Sequence, residues 1–274
     1  MLLRYGHQLL DLSKPIVMGI LNCTPDSFYD GGRWASKDTI LKHTNQMITE
    51  GARIIDVGGV STKPYAQTVS QTEEIERILP VIEALKTNFG ELILSVDTSR
   101  AAVARLALEA GADVVNDVSA GAWDADLHKV VADKKAPYVL MHAQGRPENM
   151  QDNPNYENPT QEILDFFIQQ TAELRTKNIQ ELILDIGFGF GKTLQQNYQL
   201  LRDLSVFKIL NLPILVGISR KSMIYKPLQT TPQEALHGTT ALHFWALQQG
   251  ANILRVHDVR PAMDAIRMWE CLQL

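Results

Sequence analysis

Eight short runs rich in Ile, Val and Leu recur along the chain, and each stops at a polar residue followed by turn-forming residues. IVMGIL ends at Asn22, RIIDVGG carries Asp56 into STKPYA, and LILSV ends at Asp97. DVV ends at Asn116 and Asp117, YVLM at His142, and LILD at Asp185. PILVGIS runs into Arg220 and Lys221, and NILRVHD places Arg255 and His257 on one face by the two-residue period of a strand. Between the runs the period lengthens to that of a helix. From Glu73 to Asn88 apolar residues fall at Ile75, Ile78, Leu79, Ile82 and Leu85. Ser99 to Ala110 opens on an N-cap residue and ends before Gly111, and Pro232 to Gln249 ends before Gly250. The strand-like runs are continuously apolar, as parallel strands covered on both faces are. Eight such β-α units in 274 residues predict an α/β fold, a (β/α)8 TIM barrel forming one domain over residues 1–274.

Three stretches are too polar or too rich in turn residues for either period: Thr24 to Ser36, Ser61 to Thr72 and Gln144 to Pro159. Each follows a predicted strand, so all three belong at the C-terminal mouth of the barrel, where they suggest a closing lid. With 45% hydrophobic and 21% charged residues, the chain can bury a large core. A net charge of −5 and the lack of any basic stripe argue against nucleic-acid or membrane-surface partners. Cys23 and Cys271 lie at opposite ends with no C-x-x-C, so neither a disulfide framework nor a zinc site is expected, and a reducing cytoplasm fits. The N-terminus has no sustained apolar core, and nowhere do eighteen apolar residues run together, so no targeting or spanning segment is expected.

A barrel turns the residues that end its strands into one constellation: Asn22, Asp56, Asp97, Asn116, His142, Asp185, Lys221, Arg255 and His257. A single Asp or Asn at a strand end is usually a turn-maker, but nine polar ends converging on one mouth call for a ligand. Asp97, Asn116, Asp185 and Lys221 mix donors and acceptors, suited to the edge of a neutral heterocycle with amide-like groups. Arg255, His257 and Lys63 suit a phosphate or diphosphate, and Asn22 offers a neutral oxygen to Mg²⁺. The sixth run continues as IGFGFGKT, whose glycines allow a tight turn near a ligand. Its G-K-T ending is not a phosphate loop, which requires a glycine where Ile186 stands. Cys23 and His142 read as structural.

The segments MGILNCTPDSFYDGG, DVGGVSTKPYA, SVDTS, VVNDV, VLMH, LILDIGFGFGKT, VGISRKSMI and RVHD follow, in order and over nearly the whole chain, the motif set of the dihydropteroate synthases, which this sequence resembles. The resemblance implies a folate-pathway transferase that joins 6-hydroxymethyl-7,8-dihydropterin diphosphate to p-aminobenzoate and releases diphosphate. It also implies a homodimer and inhibition by sulfonamides. Carried over by position, Asp97, Asn116, Asp185 and Lys221 resemble the pterin-binding set, with Met141 lining the pocket and Thr62 reaching it. Asn22, Arg255 and His257 resemble the Mg²⁺ and diphosphate set, joined by Lys63. Phe28, Pro64, Phe190, Ser219 and Arg220 resemble the residues that enclose p-aminobenzoate. The resemblance thus implies catalytic roles for Asp97, Lys221, Arg255 and His257. Val60, Lys63 and Tyr65 stand where the family usually has Glu, Arg and Gly, and Ile186 replaces a usual Pro. Two alternatives share the barrel: a pterin-dependent methyltransferase, which does not need the phosphate set, and a non-catalytic pterin-binding paralogue.

Overall fold

The eight apolar runs pair in sequence order as parallel strands and close on themselves. In the computed structural model, which describes residues 1–23, 37–60, 69–145, 150, 152 and 154–273, a two-stranded hairpin comes first: β1 (Leu2–Tyr5) and β2 (Gln8–Asp11). The barrel strands are β3 (Ile16–Asn22), β4 (Ala52–Gly58), β5 (Ile93–Asp97), β6 (Val114–Asp117), β7 (Tyr138–Met141), β8 (Leu182–Asp185), β9 (Ile214–Val216) and β10 (Ile253–Val256). β10 returns to β3 in register, Ile253 beside Ile16 and Arg255 beside Met18. The helices are α1 (Lys37–Glu50), α2 (Gln71–Asn88), α3 (Ala101–Glu109), α4 (Leu127–Lys134), α5 (Pro159–Thr176), α6 (Leu194–Arg202), α7 (Ser222–Tyr225), α8 (Leu236–Gln248) and α9 (Val259–Cys271). Among the described residues no helix is long and apolar enough to cross a membrane.

Strand parity sorts the side chains. Val17, Leu21, Ile55, Val57, Leu94, Val96, Val115, Tyr138, Leu140, Leu182 and Leu184 face outward, into one large core beneath the helices. The alternate residues face inward, and at the N-terminal end they are all apolar: Ile16, Met18, Ile54, Ile93, Val114, Val139, Ile183, Leu215 and Ile253. Two residues further along each strand on the same inward parity stand Asp56, Ser95, Asn116, Met141, Asp185 and Arg255. The interior is therefore an apolar plug with a polar layer resting on it, as a barrel whose mouth carries the chemistry requires.

The N-terminal hairpin has no counterpart in the periodicity reading. Its short strands place Leu3 and Leu10 inward, and with Leu12 they stop the lower end of the barrel by joining the interior cluster. Two helix starts also differ from the sequence expectation. Ser99 does not cap α3, because its hydroxyl is given to Asp117; the Asp124 carboxylate accepts from the Ala101 amide instead. The expected helix from Pro232 begins only at Leu236, since Glu234 bends back to accept from the Thr230 and Thr231 hydroxyls. Asp117, grouped with Asn116 as a strand end, has the opposite parity and accepts from Ser119, Gly121 and the Tyr138 hydroxyl.

Leu12 is fully buried in this lower plug, so Leu12→Ala should lower unfolding free energy by about 2–5 kcal/mol, the usual cost of emptying a core leucine site. The polar layer should keep its arrangement, because the mouth lies at the other end. Urea unfolding checks the first and side-chain NMR shifts of the mouth residues the second; displaced shifts at the mouth of the folded variant would contradict the separation of floor from mouth.

Candidate active site

The polar layer is organised by one guanidinium. Arg255 donates from Nε to Asp56 Oδ2 at 2.6 Å and from Nη2 to Asp97 Oδ2 at 2.7 Å. Asn116 donates from Nδ2 to the same Asp56 oxygen at 2.9 Å, which ties β4, β5, β6 and β10 across the mouth. Burial works against the charge on Arg255, but Asp56 and Asp97 outweigh it and hold the guanidinium firmly protonated. Burial likewise raises the Asp97 carboxyl above the usual carboxylate range; Arg255 opposes this, while Asp56, Glu74 and Asp117 add to it. The side chains of Asp97 and Arg255 remain only 12% and 19% exposed.

Across the mouth, β8 delivers Asp185 into the glycine-rich turn. The Gly187 amide donates to Asp185 Oδ1 at 2.8 Å, fixing one carboxylate oxygen and leaving the other toward the mouth. Burial raises this carboxyl too, against the pull of Lys221. Gly187 has φ +70°, and a Cβ there would lie 1.9 Å from the His142 carbonyl oxygen. That position admits nothing but glycine. Lys221 donates to the Phe188 carbonyl at 2.5 Å and lies 4.7 Å from the centre of the half-buried Phe190 ring. Burial brings its pKa down to about 8. Met141 is buried on the wall between Asn116 and Asp185.

Sequence reasoning gave Lys192 no role beyond the discarded phosphate loop, yet it is the core of this turn. Its buried ammonium donates to three carbonyls, of His142 at 3.1 Å, Gly187 at 2.9 Å and Phe190 at 3.0 Å. Burial, reinforced by Lys221 and opposed by Asp185, lowers its pKa to about 7. Asn197 completes the scaffold by accepting from the Gly189 amide and donating to the Lys192 carbonyl. His142 is neutral and packs its ring against Phe166, in keeping with a structural role.

The rim between β9 and β10 carries Ser219, Arg220 and His257. Ser219 is buried, and its Oγ accepts from the His257 amide at 3.2 Å and sits 3.1 Å from Nδ1 of that imidazole. Arg220 stands in the left-handed region at φ +57°, and its guanidinium is held by Asp258 through two bonds of 2.8 and 2.6 Å. His257 lies on the same rim, among cationic side chains. Enclosure by the mouth, then Arg255, Arg220 and Lys221, push it below the ordinary histidine range, although solvent reaches the ring. That direction favours the neutral imidazole beside the Arg255 guanidinium. Asn22 ends β3, half-buried at the mouth, and no described residue bonds its carboxamide. Among the described residues no group of three or more His, Cys, Asp or Glu could hold a metal. Phe28, Thr62, Lys63, Pro64 and Tyr65 lie outside the described residues.

Residues 18–257 match the family of pterin binding enzymes. The chain is 48% identical to a dihydropteroate synthase of Escherichia coli (strain K12), over 95% of this chain and 93% of that one. The chain belongs to the dihydropteroate synthase family. A dihydropteroate synthase from Yersinia pestis, in complex with a sulfonamide drug, superposes with a TM-score of 0.94 at 44% identity over 100% of this chain and 99% of that one. The Xanthomonas albilineans dihydropteroate synthase, in complex with 7,8-dihydropteroate, gives a TM-score of 0.89 at 36% identity over 100% and 99%. The chain is thus a transferase of folate biosynthesis on a (β/α)8 barrel, and Asp97, Asn116, Asp185, Lys221 and Arg255 stand together at its mouth.

For His257 the pH dependence follows from the direction of its shift. An unfolded imidazole takes up its proton near pH 6.5 while the folded one resists, so acidification through that value favours the unfolded chain. In the folded free enzyme the His257 midpoint should lie below pH 6.5, and inorganic diphosphate should raise it. Side-chain NMR titration checks this; a free-enzyme midpoint at or above 6.5 would contradict the neutral assignment.

Proposed function

We propose that this mouth binds 6-hydroxymethyl-7,8-dihydropterin diphosphate, places its methylene against the amine of p-aminobenzoate, and forms 7,8-dihydropteroate and diphosphate. The observation that carries the reading is the division of the polar layer into two chemistries. Asn116, Asp185, Asp97 and Lys221 surround the centre with mixed donors and acceptors over an apolar floor, fitting a flat heterocycle with amide-like edges. Arg255 on β10, His257 just beyond it and Asn22 at the end of the adjacent strand β3 add groups that fit an anionic leaving group and its counter-ion. The family's product unites a pterin and a p-aminobenzoate moiety, and a relative has been seen with that product bound.

The bond between the methylene carbon and the diphosphate oxygen breaks first, its electron pair leaving with diphosphate. Arg255, held by two carboxylates before substrate arrives, meets that growing charge without having to reorganise. Asp97 and Asp185 orient the ring, into which the positive charge on the methylene delocalises. The amine nitrogen then forms the new C–N bond and gives its proton to solvent. Phe190, Ser219 and Arg220 are the described residues proposed to flank the amine substrate, joined by Phe28 and Pro64. Thr62 and Lys63 are assigned to the pterin diphosphate. No protein nucleophile is required.

Enzymes of this class generally require a divalent metal, and we assign Mg²⁺. With no all-protein cage among the described residues, Asn22 Oδ1 would hold it together with diphosphate oxygens and water, a donor set suited to this ion. Bound there, it would neutralise charge on the leaving diphosphate.

The proposal treats the whole chain as one pterin-binding domain acting in the cytoplasm, consistent with free Cys23 and Cys271. It also assigns a homodimer. α8, LHGTTALHFWALQ, is apolar on nearly every side and leaves Trp245 exposed beside Leu194 and Tyr198 of α6, with Met268 of α9 exposed nearby. Sedimentation equilibrium at twice the chain mass checks this; a monomer at micromolar concentration contradicts it.

Asp185→Asn tests the pterin assignment. The amide oxygen can still accept from Gly187, but the atom facing the mouth changes from acceptor to donor. Pterin affinity should fall by about 1.5–3 kcal/mol, the range for hydrogen bonds to charged groups. Calorimetry on the folded variant reads this, and unchanged affinity would remove the assignment. In the wild type, diphosphate release should require p-aminobenzoate; binding without turnover would leave a pterin-binding protein that is not an enzyme.

A further inference from the structure

Asp56 is fully buried, and no step of the reaction touches it. Its Oδ2 accepts from Arg255 Nε and Asn116 Nδ2, while its Oδ1 has no partner among the described residues. As a device for stability this is poor, since replacing a buried ion pair by apolar groups is often neutral or stabilising. An apolar residue, however, cannot orient its neighbours.

Arg255 can only donate, so the Asp56 oxygen 2.6 Å from its Nε is an acceptor in that bond. A carboxamide 2.9 Å away must therefore turn its NH₂ toward Asp56, leaving Asn116 Oδ1 as the atom it can offer a ligand. An Asn amide without such a partner can rotate and exchange donor for acceptor. The same Asp56 oxygen engages Arg255 Nε while Asp97 engages Nη2, so Nη1 is the guanidinium nitrogen with no described partner.

We propose that Asp56 is a positioning residue that fixes the hydrogen-bond polarity of the pterin wall, committing Asn116 to accept from the ring and aiming the remaining Arg255 N–H groups at the diphosphate. The inference rests on the reading that Asn116 and Arg255 meet the pterin diphosphate. It assigns the role to the acceptor at Oδ2 and not to the negative charge, because Asp97 remains as a counter-ion to Arg255 if Asp56 is neutralised.

Acceptor and charge are separable by substitution. In Asp56→Asn the amide oxygen can occupy the Oδ2 position and keep both bonds, whereas Asp56→Ala removes them. For Asp56→Asn, the KM for pterin diphosphate and the Kd for 6-hydroxymethyl-7,8-dihydropterin should stay within about threefold of wild type, while Asp56→Ala should raise both by more than about tenfold. The KM for p-aminobenzoate at saturating pterin should move less than about twofold in either variant, a split that general loosening of the barrel would not give. Binding of inorganic diphosphate should weaken in Asp56→Ala alone.

A folded Asp56→Ala enzyme with wild-type pterin constants overturns the proposal. So does an Asp56→Asn enzyme that loses more than about tenfold, since charge would then be the operative property. Should the alanine variant not fold, as judged by circular dichroism and thermal melting, the asparagine variant decides alone. Asn116→Ala serves as the control on the underlying reading. Wild-type pterin binding in that variant would remove the site assignment and this proposal with it, whereas weakened binding there with an insensitive Asp56→Ala would remove the proposal only.

Discussion

A permanent charge held where water scarcely reaches must be met by opposite charge or by well-aimed dipoles, and at the mouth of this barrel that charge is Arg255. Its two carboxylates come from different strands, Asp56 from β4 and Asp97 from β5, and Asn116 of β6 joins the same hydrogen-bonded cluster. Closing the barrel brings β10 beside β3 and so makes this possible; an open sheet of the same strands would leave Arg255 at an edge. The network consequently serves two ends. It satisfies a buried cation before any substrate is present, and in the proposed reaction it holds in place the atoms that would meet the departing diphosphate.

A second cation is handled differently. Lys192 has no carboxylate at hydrogen-bond distance among the described residues and is met by the dipoles of three carbonyls, which obliges residues 187–190 to wrap around it. That wrapping needs the positive φ values at Gly187, Gly189 and Gly191. It also turns the Phe188 carbonyl to Lys221 and the Gly187 amide to Asp185. The glycines and the lysine of GFGFGK are thus one device, whose product is a correctly aimed carboxylate on β8.

Most of the barrel was legible because inward and outward residues of a parallel strand alternate, and because each run ended in a polar residue. Asp97 and Asp185 could be read in this way from their positions alone. Asp56 was visible as a polar residue within a strand, but its weight depends on an arginine 199 residues away, and no local pattern carries that pairing. Lys192 was hidden because backbone carbonyls leave no mark in a sequence. The lowered pKa of His257 arises from desolvation and from cations on separate loops and strands, and the hairpin under the barrel was too short for its alternation to register. Ser99 looked like a helix cap until Asp117 proved the stronger acceptor for its hydroxyl.

With Arg255 anchored by Asp56 and Asp97, the proposed pterin wall is assembled before the substrate arrives. The deciding measurement is a crystal structure of the enzyme with bound 6-hydroxymethyl-7,8-dihydropterin diphosphate. The account predicts the ring between Asn116, Asp185 and Lys221, diphosphate oxygens on Arg255 and His257, and wall side chains within about 1 Å of their free positions, as in pre-organised complexes. A ring bound elsewhere, or an Arg255 that leaves Asp56 to reach the diphosphate, would contradict it.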